Sequence, residues 1–119
     1  MATVALNADN FGSTIDNNDI VLIDFWAEWC GPCKQFGPIF EQSSEKHDDV
    51  VFAKLDTEES RDVAAALEIM SIPTIMAFRA GYLVFRQSGV MRPKQLDELI
   101  EKIKELDPEQ LKAEAEKAQ

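Results

Sequence analysis

Ile20-Val21-Leu22-Ile23-Asp24-Phe25-Trp26-Ala27 runs directly into Glu28-Trp29-Cys30-Gly31-Pro32-Cys33. The first stretch is apolar and partly β-branched, with one acid in its middle. Such a run fits a strand covered on both faces, as in a parallel sheet. Gly31-Pro32 interrupts it. Helical spacing follows, with Phe36 and Phe40 on one face and Pro38 placed to kink the helix. Two cysteines, one helical turn apart, therefore stand at a strand-to-helix junction.

Outward from that junction the pattern alternates. Val4 to Leu6 reads as a first strand, Asn7 to Asn10 as helix caps, and Phe11 and Ile15 as one helical face. Val50 to Leu55 reads as a third strand. Ser60 is placed to cap a short helix carrying Val63, Ala64 and Leu67 inward. Thr74 to Phe78 and Tyr82 to Arg86 form a hairpin around Ala80-Gly81. Arg92-Pro93 opens a helix with Leu96, Leu99, Ile100 and Ile103 at helical spacing. Alternation predicts right-handed crossovers and parallel strands, and the hairpin adds antiparallel ones. The expected product is an α/β fold with a mixed sheet sandwiched between helices. From Asp107 the chain offers a helix start, Asp107-Pro108-Glu109-Gln110. Only Leu111, Ala115 and Ala118 line its apolar stripe. So short a helix is marginal without packing, and a frayed, solvated tail is the expectation. The sharper alternative is a docking element.

The 119 residues fit one domain, able to bury a core without a disulfide staple. With 22 acidic against 12 basic residues the net charge is −10, which disfavours nucleic acid and anionic lipid as partners. No apolar run approaches the ~20 residues of a membrane span. No secretory signal is visible at Met1-Ala2-Thr3-Val4-Ala5, so the cytosol, where ordinary thiols stay reduced, is the expected compartment.

Cysteines with this spacing beside a βαβ pattern read as a redox pair. Residues one turn apart at a helix start face the same side, at a Cα separation compatible with a disulfide. The two sulfurs are not equivalent. Cys30 sits at the helix N-terminus, where free N–H groups and the macrodipole favour a thiolate able to attack. Cys33, one turn further in, is expected to be more buried and to resolve the mixed disulfide. A structural disulfide would close only a tiny loop. A zinc site lacks ligands, because His47 is the only histidine. Spacing by itself leaves two idle cysteines open.

Asp24 is expected to be desolvated by its neighbours, which raises its pKa. It is the candidate proton acceptor for Cys33. A structural pairing with Lys54 is the alternative, and the two are compatible. Ile72-Pro73-Thr74 precedes the fourth strand, an ordinary place for proline.

Ile23 to Lys34, with Trp29-Cys30-Gly31-Pro32-Cys33 at its centre, closely resembles the active-site stretch of thioredoxins. Pro38, Lys54, Asp56, Ile72-Pro73-Thr74, Gly81 and Gly89 agree with that family in order and spacing, over roughly residues 3 to 106. The resemblance implies a thioredoxin fold: a central five-stranded mixed sheet flanked by four helices, here in residues 1–106, with 107–119 as an acidic helical extension or tail. It implies that Pro73 is cis and that the backbone beside it pairs with an extended client segment. Trp29, Gly31, Pro32, Ile72, Pro73 and Gly89 would form the docking surface. The implied partners are disulfide-containing client proteins and a thioredoxin reductase. NADPH would act through that reductase, leaving this chain a monomer with no bound cofactor and no metal. Thr57, Ser88 and Met70-Ser71 depart from the family pattern, making the docking surface more polar.

Gly31-Pro32 offers no histidine to stabilise the thiolate further, so the pair is expected to be reducing, not an oxidase's. Nothing suggests a glutathione site. From another class, a thioredoxin-fold binding or holdase module with an incidental dithiol stays open. Asp24 and Pro73 argue against it.

Overall fold

The computed structural model describes residues 2–118. Ten elements follow one another: β1 (Thr3–Leu6), α1 (Phe11–Asp16), β2 (Ile20–Trp26), α2 (Gly31–Lys46), β3 (Val51–Asp56), α3 (Arg61–Ala66), β4 (Thr74–Arg79), β5 (Tyr82–Ser88), α4 (Pro93–Lys104) and α5 (Pro108–Lys117). The sheet order is β1-β3-β2-β4-β5. β1, β3 and β2 run parallel, and β4 and β5 are antiparallel to their neighbours.

The apolar run of β2 is central, and strand periodicity divides its side chains between two layers. Ile20 and Leu22 join Phe52, Ile75 and Ala77 beneath Phe36 and Phe40 of α2 and Leu96, Ile100 and Ile103 of α4. Val21, Ile23 and Phe25 pack the opposite face with Ile15 of α1, Leu55 and Met76, joined by Val63 and Leu67. Covering on both faces explains why β2 lacks an apolar–polar alternation. It also leaves Asp24 buried on the α2 face.

Local details differ from the sequence expectations. The Asn10 side chain makes no cap bond to α1. The Asn7 carboxamide oxygen instead accepts from the Asp9 and Asn10 N–H groups at 2.9 and 3.2 Å, folding the loop on itself. Ser60 stands at the α3 N-cap without a side-chain cap bond. Asp56 accepts from the N–H groups of Glu58 and Glu59 just before it. The hairpin turn holds Ala80 at φ 52° and Gly81 at φ 86°. Both are left-handed, as a turn matching strand twist requires, and only Gly81 meets that without a steric cost.

Of the two forms expected for the extension, helix or tail, the helix is found: α5 is formed. Asp107 accepts from the Glu109 N–H at 3.0 Å, which satisfies an otherwise orphaned donor. α5 buries no residue, so capping and the proline at its first turn, more than packing, define it.

Candidate active site

β2 ends beneath the cysteines, and α2 begins with them. Cys30 is the α2 N-cap, in extended backbone. The Cys33 N–H donates to Cys30 Sγ at 3.2 Å. A backbone donor at the positive end of a 16-residue helix thus points at this sulfur. Cys30 and Cys33 are joined as a disulfide with a Cα–Cα separation of 5.3 Å.

Burial does not separate the two cysteines. Cys30 is 3% exposed and Cys33 5%. Both pack against Ala27, with Trp26 and Ile72 alongside. What distinguishes them is position: Cys30 takes the helix-end N–H, whereas Cys33 lines the cleft beside α2. A cleft of about 410 Å³ runs from Cys33 past Gly37 and Pro38 to Lys54 and Glu41.

Asp24 is fully buried, and neither carboxyl oxygen has a hydrogen-bond partner among the described residues. Burial pushes its pKa up from 3.8 to about 7, against the opposing charge of Lys54. Asp24 and Lys54 are register partners across β2 and β3. The Lys54 ammonium nevertheless lies 5.0 Å from the Trp26 ring centroid, over its face. Lys54 is therefore a nearby charge without a direct hydrogen bond to the acid. The cation–π contact helps hold it at the cleft.

The loop before β4 closes the other side. The Ile72–Pro73 peptide bond is cis. The Ile72 carbonyl oxygen lies 3.6 Å from Cys30 Sγ. A disulfide sulfur carries no proton, so this is an approach and not a hydrogen bond. The Gly89 N–H donates to the Pro73 carbonyl at 2.8 Å, with Gly89 at φ 101°; the left-handed backbone there favours glycine. Trp29, 69% exposed, stands beside the pair. Gly31 and Pro32 form the exposed tip between the cysteines.

Of the two polar departures, Thr57 turns inward while Ser88 stays exposed. Thr57 Oγ1 donates inward to the Trp26 carbonyl at 3.1 Å. Thr74 Oγ1 donates to the Ser71 carbonyl at 2.5 Å, which leaves the Ser88 hydroxyl to donate to Thr74 at 3.0 Å. One tether escaped sequence reasoning. Arg86 of β5 donates to the carbonyls of Leu67 and Glu68 at 2.7 and 2.6 Å. Glu68 itself is left-handed at φ 54°. No local pattern announces a contact 18 and 19 residues away in sequence.

A disulfide at a helix N-terminus, facing a cis-proline loop on this α/β/α sandwich, defines a thiol–disulfide oxidoreductase. The thioredoxin family model matches residues 2–105. A putative thioredoxin 2 from Streptomyces coelicolor is 47% identical over 111 residues, covering 93% of this chain and 83% of the relative. The thioredoxin of Mycoplasma pneumoniae is 40% identical over 100 residues, covering 84% and 98%. Among solved structures, a Plasmodium falciparum thioredoxin superposes with TM-score 0.78 at 36% identity, covering 84% of this chain and 98% of its own. A mutant thioredoxin from Halobacterium salinarum gives 0.81 at 33%, covering 89% and 94%. The chain belongs to the thioredoxin family and is a protein-disulfide reductase by dithiol exchange. Among the described residues, no helix is long and apolar enough to cross a membrane.

Proposed function

We propose that Cys30 is the attacking thiol and Cys33 the resolving one, with Asp24 as the proton acceptor. The observation that carries this division is the Cys33 N–H aimed at Cys30 Sγ at 3.2 Å. It stabilises negative charge on Cys30 in the reduced state and receives it again when Cys30 leaves. Cys30 thiolate attacks a client sulfur and displaces the other client thiolate. The mixed disulfide is then attacked by Cys33, whose proton must go somewhere as it becomes a thiolate. Asp24, with a pKa near 7, is matched to accept a proton at neutral pH. The cleft that joins Cys33 to Lys54 gives water a route between them. Lys54 keeps the ionised form of Asp24 accessible. Without that opposing charge, burial would hold the acid protonated to still higher pH.

The docking surface is formed by Trp29, Gly31, Pro32, Ile72, Pro73 and Gly89, against which an extended client segment lies. A thioredoxin reductase returns the disulfide to the dithiol with electrons from NADPH, so this chain carries electrons as a monomer in the cytoplasm without a bound cofactor. Residues 1–106 do this work, and 107–119 form an extension.

The test is trapping. Cys33→Ser accumulates client adducts on Cys30 that vanish on reduction, seen on non-reducing gels, while Cys30→Ser gives none and does not reduce insulin with dithiothreitol. Adducts that form equally on the two single-cysteine variants would refute the assignment.

A further inference from the structure

Met70 is 91% exposed, a large apolar side chain held almost entirely in solvent. It shares one groove of about 550 Å³ with Trp29, Ile69 and Ile72, the last of which touches the cysteine cluster. Collapse of Met70 onto its own groove would hide apolar surface, yet its segment is held at both ends. Arg86 grips the carbonyls of Leu67 and Glu68. Thr74 grips the carbonyl of Ser71. At the groove's rim, Glu58 and Arg61 form an ion pair at 2.8 Å, so that pair adds no net charge to the groove. The groove adjoins the disulfide through Ile72, which packs against the Cys30 and Cys33 cluster. Its occupant is therefore the client chain flanking the attacked cysteine.

We infer that Met70 is a specificity-determining contact that selects clients with an apolar side chain beside the attacked disulfide, and that its oxidation to the sulfoxide switches this selection off. The inference rests on the dithiol mechanism above. A thioether on a flexible, unbranched chain suits varied apolar partners. Hydrogen peroxide transfers one oxygen to the sulfur, forming S=O and releasing water. The sulfur loses two electrons, the peroxide gains them, and no carbon–sulfur bond breaks. The product is polar and unsuited to an apolar contact. Met76 and Met91, at 2% and 5% exposure, are shielded from the reagent.

The test uses the full chain in its disulfide form, which protects the cysteine sulfurs during peroxide treatment. After peroxide removal and reduction by dithiothreitol, single-turnover rates are measured on two neutral disulfide peptides that differ only in Leu or Gln beside the cysteine. The untreated protein should prefer the Leu peptide by about tenfold, the scale of burying part of one apolar side chain. Peroxide-treated protein and Met70→Glu should show almost no preference. Met70→Leu should keep its preference through peroxide, which removes Met1 as a cause. Equal preference before and after treatment, with peptide mapping showing the oxygen on Met70, overturns the inference. So does oxidation reaching Met76 or Met91 first. Failure of the dithiol mechanism would look different: the untreated protein would reduce neither peptide.

Discussion

Two aspartates on the α2 side of the sheet meet opposite fates. Asp24, on β2, is sealed in the core and accepts no hydrogen bond from the described residues. Asp97, on α4, sits near the C-terminal end of α2 and gathers three donors. Ser43 Oγ reaches it at 3.1 Å, Lys46 Nζ at 3.2 Å and His47 Nε2 at 3.2 Å. Burial pushes Asp97 upward as well, but its hydrogen bonds from His47, Lys46 and Ser43 win and hold it below 3.8. At Asp24 burial wins and the pKa reaches about 7. The same side chain becomes a proton acceptor in one place and a tie between helices in the other. Donors, more than depth alone, decide which.

The largest effect expected from this contrast is at Asp24. Asp24→Asn should slow resolution of the mixed disulfide by about tenfold or more at pH 8, since a positioned proton acceptor commonly contributes ~10²-fold. Stopped-flow release of the second client thiol measures it, and an unchanged rate across neutral pH removes Asp24 from the mechanism. The same substitution has a stability signature. The unfolded carboxyl titrates at 3.8 and the folded one at about 7. Between those values the folded protein holds a proton that the unfolded chain has shed, so stability falls as pH rises through the window. Relative to Asp24→Asn, the wild-type disulfide form should lose roughly 4 kcal/mol from pH 3 to pH 8, at ~1.4 kcal/mol per pH unit. Denaturant titrations at the two pH values read that difference. A flat difference would mean that Asp24 is ionised at low pH or is reached by water.

Asp97 should behave in the opposite sense and more weakly. Its folded pKa is depressed, so its stabilisation is present above 3.8 and disappears as pH falls through the lower folded value. Asp97→Asn should cost about 1 kcal/mol near pH 7, because the group is partly solvated and its Lys46 donor is charged. The cost should vanish in acid, and the rate of disulfide exchange should not change. A loss at Asp97 as large as the gain at Asp24 would mean that solvent screens this cluster less than its exposure implies.

The two regions also differ in how far the sequence announces them. Asp24 stands inside a run of apolar residues, so its burial and its raised pKa follow from its neighbours alone. The cysteine pair is equally legible, because the strand-to-helix junction fixes which sulfur caps the helix. Asp97 gives no such signal: its donors come from α2, 50 or more residues earlier, and meet it only through helix packing. Arg86 is hidden for the same reason. Burial does not tell Cys30 from Cys33, because both residues are buried in the disulfide form. The strands, by contrast, needed no tertiary information. Their apolar runs were long enough and their turns punctuated clearly enough.

The smallest effect is expected at the far end of the chain. α5 has a capped N-terminus and a proline in its first turn, yet none of its residues is buried, and Leu111 and Ala115 are only half-covered. A helix this short gains little from propensity in isolation. Deleting residues 108–119 should therefore shift stability by less than about 1 kcal/mol, against the several that a buried apolar helix face would cost. The far-UV helical signal should fall while client reduction is unchanged. A loss of several kcal/mol would show that the half-covered stripe packs on the domain in solution. The extension would then belong with α4 as part of the fold.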